Sequence, residues 1–417
     1  MSHQPVTRRA LGIGVALSVL CGLLIPYLDH YIQGTFVGGQ HLPPGAVFTL
    51  IVLLLVVNPV LRRISRKRQL TRPELLLIYS MLLVATLVPG HGSENLFIPV
   101  SVSAFYFDTP ARGWDRIFMD HVPSWFHPQS SDAITHFYES LSPGAPIPWG
   151  QWTVPLLSWA ALVLALYGLA TFLSLLLYPQ WADREKLTFP LVALPVEMTQ
   201  QPERPFVPGG FWANPVMWGG FAVAVVLGTG KGLAHFYSQF DAFKLSYPSI
   251  HTYFSGEPWR SIGWSPRIVY PLVVAVSVLL RTEVSGSLVF FYWFTKFQRV
   301  AATAVGFRGT GHKIEGYPVW LGAQPWGGYI AYLGMALWAA RRHLGQAWAE
   351  ATGRETPAAD QPLSYRFCFI GGGACLLAAT CWLTAASMSF WTAAATTVSY
   401  AMIITILSKV VVESGLL

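Results

Sequence analysis

Charged residues are scarce: Asp, Glu, Lys and Arg make up 11% of the 417 residues, while 53% are hydrophobic. An ordinary soluble protein carries about 25% charge, so a water-soluble globular chain is excluded and a polytopic membrane protein is indicated. Cysteine is also rare. Cys21, Cys368, Cys375 and Cys381 are the only four, and all fall in apolar runs. They support neither a disulfide framework nor a cysteine metal site. No pair of histidines has the spacing of a helical zinc motif, and Gly228-Thr229-Gly230-Lys231-Gly232 lacks the G-x-x-x-x-G-K-[ST] spacing of a phosphate loop. No metal or other cofactor is therefore expected. No Ser-His-Asp order or paired-carboxylate geometry can be assigned either. The net charge of +7 would suggest nucleic acid in a soluble chain. Here Lys and Arg read as the residues that hold loops in the cytoplasm, so no nucleic-acid partner is expected.

What the chain does have is long apolar runs. A span needs about 20 apolar residues for a hydrocarbon core of about 30 Å, which gives about ten segments. They are 10–28, 44–61, 74–90, 153–178, 211–229, 264–281, 283–299, 326–340, 366–384 and 388–408. The expected fold is an all-α polytopic transmembrane helical bundle. Arg8 and Arg9 before the first run imitate a signal peptide, but no small-residue cleavage site follows Leu24, so the segment reads as a retained span. Thr71-Arg72-Pro73-Glu74 is a capping-box sequence that fixes the start of the third span. With the N-terminus inside, the inner loops hold most of the 27 Lys and Arg, the densest group being Arg62, Arg63, Arg66, Lys67, Arg68 and Arg72. Both termini are then cytoplasmic.

The organisation expected is three spans in 1–90, a periplasmic loop over 91–152, and the remaining spans in 153–417. The loop is aromatic rather than disordered, with Phe105-Tyr106-Phe107, Trp114, Trp125-Phe126 and His136-Phe137-Tyr138, and should pack as an outer cap. Trp149 and Trp152 stand where the next span enters lipid, as an interfacial aromatic belt would. The apolar end at Val410–Leu417, without a polar tail, suggests a chain truncated at its C-terminus, with a partner supplying missing spans, or a homo-oligomer.

Several stretches are candidates for chemistry. Pro89-Gly90-His91-Gly92-Ser93-Glu94-Asn95 ends the third span, and the apolar run after it can dip back into the membrane. A broken or re-entrant helix there would make His91, Glu94 and Asn95 candidates for ion or substrate binding; otherwise they form a solvated turn. Only Arg281-Thr282-Glu283 joins two rather short spans. If that tip stays below the surface, Arg281 and Glu283 need each other or a ligand; if not, they are an exposed pair that contributes little. Thr392, Thr396 and Ser399 share one helical face and either line a polar path or hold helices together.

The densest charge between two apolar regions is Asp183-Arg184-Glu185-Lys186. These residues cannot sit in lipid unless paired or hydrated, and topology puts them at the cytoplasmic end of the fourth span. The apolar stretch after them, Leu187 to Met198, is interrupted by Pro190 and Pro195.

In order along the chain, Pro43-Pro44-Gly45-Ala46-Val47-Phe48 with Asn58-Pro59, Glu94-Asn95, Ile147-Pro148-Trp149, Trp181 to Pro190, Glu283-Val284-Ser285 and Val412-Glu413-Ser414-Gly415 resemble an uncharacterised family of prokaryotic multi-spanning membrane proteins. Leu187-Thr188-Phe189-Pro190 is in turn similar to the Leu-x-Phe-Pro segment of the oligopeptide transporter superfamily. The resemblance implies a bacterial inner-membrane secondary transporter that moves peptides or metal chelates by alternating access, driven by protons and without enzymatic activity. It also implies a half-helix entering the transport core with Phe189 and Pro190 at its bend. That superfamily has more spans than are read here. Two other classes stay open. A membrane-embedded transferase for lipid-linked substrates would need polar groups converging at the outer rim, among Asp108, Asp115, Asp120 and the histidines. A non-catalytic scaffold would have an interior packed with apolar side chains.

Overall fold

The computed structural model describes residues 7–32, 37–38, 42–89, 98–244, 246–265, 267–278, 280–307, 313–314, 317–355 and 363–415. The protein is mostly helical. In chain order the helices are α1 (Arg8–Pro26), α2 (Pro44–Val52), α3 (Asn58–Ile64), α4 (Arg72–Leu87), α5 (Ile98–Phe107), α6 (Trp114–Ile117), α7 (Ser131–Glu139) and α8 (Trp149–Pro179). They continue as α9 (Pro190–Met198), α10 (Pro215–Phe236), α11 (Pro271–Ser277), α12 (Thr282–Ala304), α13 (Val319–Gly322), α14 (Gln324–Ala351), α15 (Tyr365–Ala385) and α16 (Phe390–Ser414). Strand is confined, among the described residues, to two antiparallel pairs, Ser246–Tyr247 with Arg267–Ile268 and Lys313–Ile314 with Tyr317–Pro318.

Among the described residues, six helical stretches are long and apolar enough to cross a membrane: Arg8–Asp29, Pro44–Ile64, Trp149–Arg184, Pro215–Ala234, Tyr365–Ala385 and Phe390–Ser414. This is a multi-pass membrane protein. The other four segments read from hydropathy also contain helix, but of different character. α4 has 16 residues and α11 only seven. Pro271 opens α11 at its first turn, and the polar sequence before it, with Ser265 and Arg267, folds as an irregular segment with a short strand. α12 and α14 are long but carry polar residues, among them Lys296, Gln298, Arg299, Arg341, Arg342 and His343.

The chain forms two compact units. The first comprises Met1–Val88, Thr188–Gly327 and Val410–Leu417. Its core is Ala10, Ala46, Leu50, Leu54, Leu75, Ile78 and Leu82, contributed by α1, α2, α4 and the π-helical turn Leu53–Val57. In lipid, apolar burial itself gives helices little reason to associate, so close packing and polar pairing must do it. Both are present. Thr71 and Glu74 form the expected capping box at the start of α4. The same carboxylate, buried on α4, takes Nη2 of Arg9 at 2.7 Å, Nε of Arg9 at 3.3 Å and the Thr7 hydroxyl at 2.6 Å. Arg9 also donates to the Arg68 and Gln69 carbonyls. One guanidinium thus ties the start of α1 to the loop before α4.

The second unit comprises Pro89–Leu187 and Gly328–Lys409. Its long α8 packs along α15 through small residues. A methyl on Gly168 would lie 2.7 Å from Sγ of Cys375, and one on Gly371 would overlap the Phe172 ring. The only buried hydroxyl pair among the described residues joins Thr380 of α15 to Thr397 of α16 at 3.2 Å. The aromatic stretch after residue 98 is packed rather than loose. Val102, Ile134 and Trp152 form a small core, and the Phe105 ring stacks on His127 at 3.6 Å. The carbonyls of Trp125 and Phe126 accept hydrogen bonds from Ser158 and Trp159 of α8.

Candidate functional site

The site grows out of the way α8 ends. Pro179 closes its last turn, and the chain continues through a π-helical turn, Gln180–Arg184. Such turns occur frequently at functional sites. The backbone then enters the left-handed region at Lys186 (φ +52°) and again at Phe189 (φ +46°). For residues with a Cβ that conformation costs roughly 1–2 kcal/mol each, so surrounding contacts must hold it. On the α8 side, the Leu187 N–H donates to the Trp181 carbonyl at 3.0 Å and the Glu185 N–H to Gln180 at 2.9 Å. Pro190 then starts α9, where a missing N–H is harmless.

Within the second unit this turn places charge among apolar helices. Glu185 Oε2 lies 2.8 Å from Nζ of Lys409 on α16, with the side chains 21% and 11% exposed. Gln180 and Trp181 are buried beside them. Gln180 Nε2 donates to Glu185 Oε1 at 3.0 Å, while its own Oε1 is buried with no hydrogen-bond partner among the described residues. The Lys409 ammonium also sits 5.8 Å from the centre of the Tyr332 ring on α14. One acid, one base, one amide and one aromatic ring therefore meet, contributed by the turn that follows α8, by α14 and by α16. A buried acceptor without a donor is costly, by about 1–3 kcal/mol, and asks for an explanation.

In the first unit, the residues on the far side of the bend are held by the end of the chain. The Phe189 N–H donates to the Val412 carbonyl at 3.0 Å, and the Thr188 hydroxyl to the Glu413 carbonyl at 3.3 Å. Gly415 has φ +66°, and a Cβ on it would lie 2.9 Å from Pro190 and 3.1 Å from Val276. Only glycine fits that approach. Pro190 is buried, and α9 sets Leu194 and Met198 against the core of α1, α2 and α4. Phe189 and Pro190 thus form the bend, and α9 is a nine-residue helix with one packed face.

The other residues singled out from sequence are dispersed. His91, Glu94 and Asn95 lie outside the described residues. Arg281 is the N-cap residue of α12 and Glu283 stands in its first turn, both exposed. Thr392 and Thr396 are exposed and Ser399 is half-buried. Thr396 donates to the Thr392 carbonyl of its own helix, and Thr392 pairs with Ser389. The α16 hydroxyls that bond across helices are those of Thr397, which accepts from Thr380, and Tyr400, which donates to the Leu166 carbonyl of α8. Of the charged motif, Asp183 and Lys186 are exposed, Arg184 reaches Gln346, and Glu185 turns inward. Asp115, Asp120 and His121 are exposed on the segment that follows α5, and His127 is buried. Among the described residues, no group of three His, Cys, Asp or Glu could hold a metal ion.

Lys409, Gln180 and Tyr332 are the residues that sequence reasoning missed as site members. Lys409 had a signal: it stands alone between Ile406-Leu407 and Val410-Val411-Val412. A cation flanked by apolar residues on both sides is poorly placed as a loop anchor.

A family model described as a family of unknown function (DUF6785) matches residues 1–417. The chain belongs to that family. The expectation of an uncharacterised family is thereby met over the whole chain, and the match does not extend to the oligopeptide transporter superfamily. No curated protein and no solved structure matches it.

Proposed function

We propose that this DUF6785 member is a proton-coupled secondary transporter of peptides or metal chelates in the bacterial inner membrane, working by alternating access. About ten spans, both termini cytoplasmic and the 91–152 segment as an outer aromatic cap complete the reading. The observation that carries it is the Glu185–Lys409 pair among apolar helices, beside the unpartnered oxygen of Gln180. An ionisable residue inside a membrane bundle is by default a functional candidate, and broken helices are where transporters place their binding groups.

Protonation of Glu185 removes the counter-charge of Lys409. The ammonium then pairs with an incoming anionic group, such as a peptide carboxylate or a chelate oxygen, and Gln180 Oε1 accepts from a substrate N–H. Loss of the proton on the other side restores the ion pair and expels the substrate. His91, Glu94, Asn95, Arg281, Glu283, Thr392, Thr396 and Ser399 are kept as candidate ion- and substrate-binding residues.

The test is uptake of a panel of labelled di- and tripeptides and metal chelates into proteoliposomes under an imposed proton gradient. Uptake by the wild-type chain that is lost in Glu185→Gln, and reduced in Glu94→Gln or Glu283→Gln, supports the reading. Full activity in Glu185→Gln overturns the site, and no uptake of any panel member overturns the class.

A further inference from the structure

A second built feature lies in the first unit, at the end of the apolar stretch Pro44–Ile64. A cleft of about 710 Å³ is lined by Arg62, Arg63, Arg66 and Arg204, with Glu203 the single carboxylate and Pro202, Pro205 and Phe206 among its wall residues. Four guanidinium groups around one cleft repel one another unless an anion joins them. The far wall is fixed in place. Asn58, fully buried, exchanges two hydrogen bonds with the Leu70 backbone, at 2.9 and 3.0 Å, and its Nδ2 reaches the Pro202 carbonyl at 3.5 Å. Gln69 donates to the same carbonyl at 3.1 Å, and Arg62 Nη1 to the Glu203 carbonyl at 2.6 Å. These bonds anchor the backbone just before Arg204 without using its charge, and Arg204 lines the same cleft as Arg63 and Arg66. Beside the cleft, Val60 and Ile64 lie four residues apart on α3 and are 50% and 64% exposed, as residues facing acyl chains would be.

We propose that this cleft binds the phosphate headgroup of an anionic phospholipid, with the acyl chains running along Val60 and Ile64. Arginine suits this task because its planar fork matches phosphate oxygens in a bidentate way, and basic pockets beside membrane helices take anionic lipid headgroups. Retention of loops by positive charge needs only the number of cations, whereas this arrangement draws Arg204 from a distant part of the chain to the same cleft. The inference depends on membrane insertion and not on the transport reading.

The experiment is native mass spectrometry of the full-length protein in detergent, titrated in parallel with phosphatidylglycerol, phosphatidylcholine, glycerophosphoglycerol and inorganic phosphate. Phosphatidylglycerol adducts that persist where phosphatidylcholine adducts do not, and that weaken by at least about tenfold in Arg63→Gln/Arg66→Gln/Arg204→Gln, are expected. The single variant Arg204→Gln, in an exposed loop, should weaken them severalfold without lowering the melting temperature, and decides the matter if the triple variant fails to fold. Equal adducts in wild type and variants overturn the proposal, as does equal retention of phosphatidylcholine. Displacement of the lipid by glycerophosphoglycerol or phosphate at equal concentration would mark a soluble-anion site and overturn it too.

Discussion

The carboxylate of Glu185 and the ammonium of Lys409 meet at 2.8 Å, mostly withdrawn from solvent, where α8 gives way to a left-handed turn and α16 nears its end. Removing one partner of such a pair leaves an uncompensated charge among apolar helices, whereas removing both does not. Lys409→Met is expected to destabilise the protein by roughly 3 kcal/mol, and Glu185→Gln/Lys409→Met to recover at least half of that loss. Thermal unfolding midpoints in detergent for the two single variants and the double variant check the coupling. Additive losses would contradict it.

Glu74 accepts from Thr7, from two nitrogens of Arg9 and from the Thr71 backbone. Glu74→Gln keeps the shape but loses the charge that the guanidinium faces. Because the Arg9 side chain is 38% exposed, solvent compensates part of the loss, and the expected destabilisation is about 2 kcal/mol rather than the 3–5 kcal/mol of a fully buried pair. Chemical denaturation of Glu74→Gln beside Arg9→Met measures it. An unchanged midpoint in Glu74→Gln would show that the network contributes nothing to stability.

The contact of α8 with α15 can be trapped covalently. A Cβ on Gly168 would lie 3.9 Å from Cβ of Cys375, inside the range of about 3.5–4.5 Å that a disulfide spans. Gly168→Cys should therefore cross-link to the native Cys375 under mild oxidation. Cleavage within the intervening loops followed by non-reducing electrophoresis reads the result. Two fragments that separate without reductant would contradict this packing.

His127 is buried against the Phe105 ring, with Nδ1 2.7 Å from the Pro128 carbonyl. Burial pulls its pKa below the usual imidazole value, against the smaller upward pull of that carbonyl. The unfolded chain then binds a proton more readily than the folded one. Stability is full above the unfolded pKa of about 6.5 and is lost as the pH falls through that value, levelling off below the folded pKa. Melting temperature should drop between pH 7.5 and 5.5 by more in the wild type than in His127→Gln. Equal drops would remove His127 as the cause.

How much of this was legible in the sequence follows from the range of each interaction. The start of α4 is written locally in Thr71 and Glu74, but the Arg9 that completes it comes from another helix. Pro190 announces a bend, yet nothing local says that Phe189 adopts the left-handed region, because Val412 and Gly415 impose it. Hydropathy over 264–281 suggests a full span, while Pro271 and the polar residues before it confine helix to Pro271–Ser277. Charge density drew attention to the motif at Asp183–Lys186, but density cannot tell which member turns inward. Only the fold pairs Glu185 with Lys409 and leaves Asp183 exposed.

The most direct test of the transport account is charge movement in proteoliposomes on a solid-supported membrane. Addition of an accepted peptide or chelate to the wild-type protein should evoke a current that grows as the medium is acidified. Glu185→Gln should abolish that acid dependence and Arg184→Gln, altered next to it on the exposed side, should leave it intact. The same acid-dependent current in Glu185→Gln as in the wild type would contradict the account.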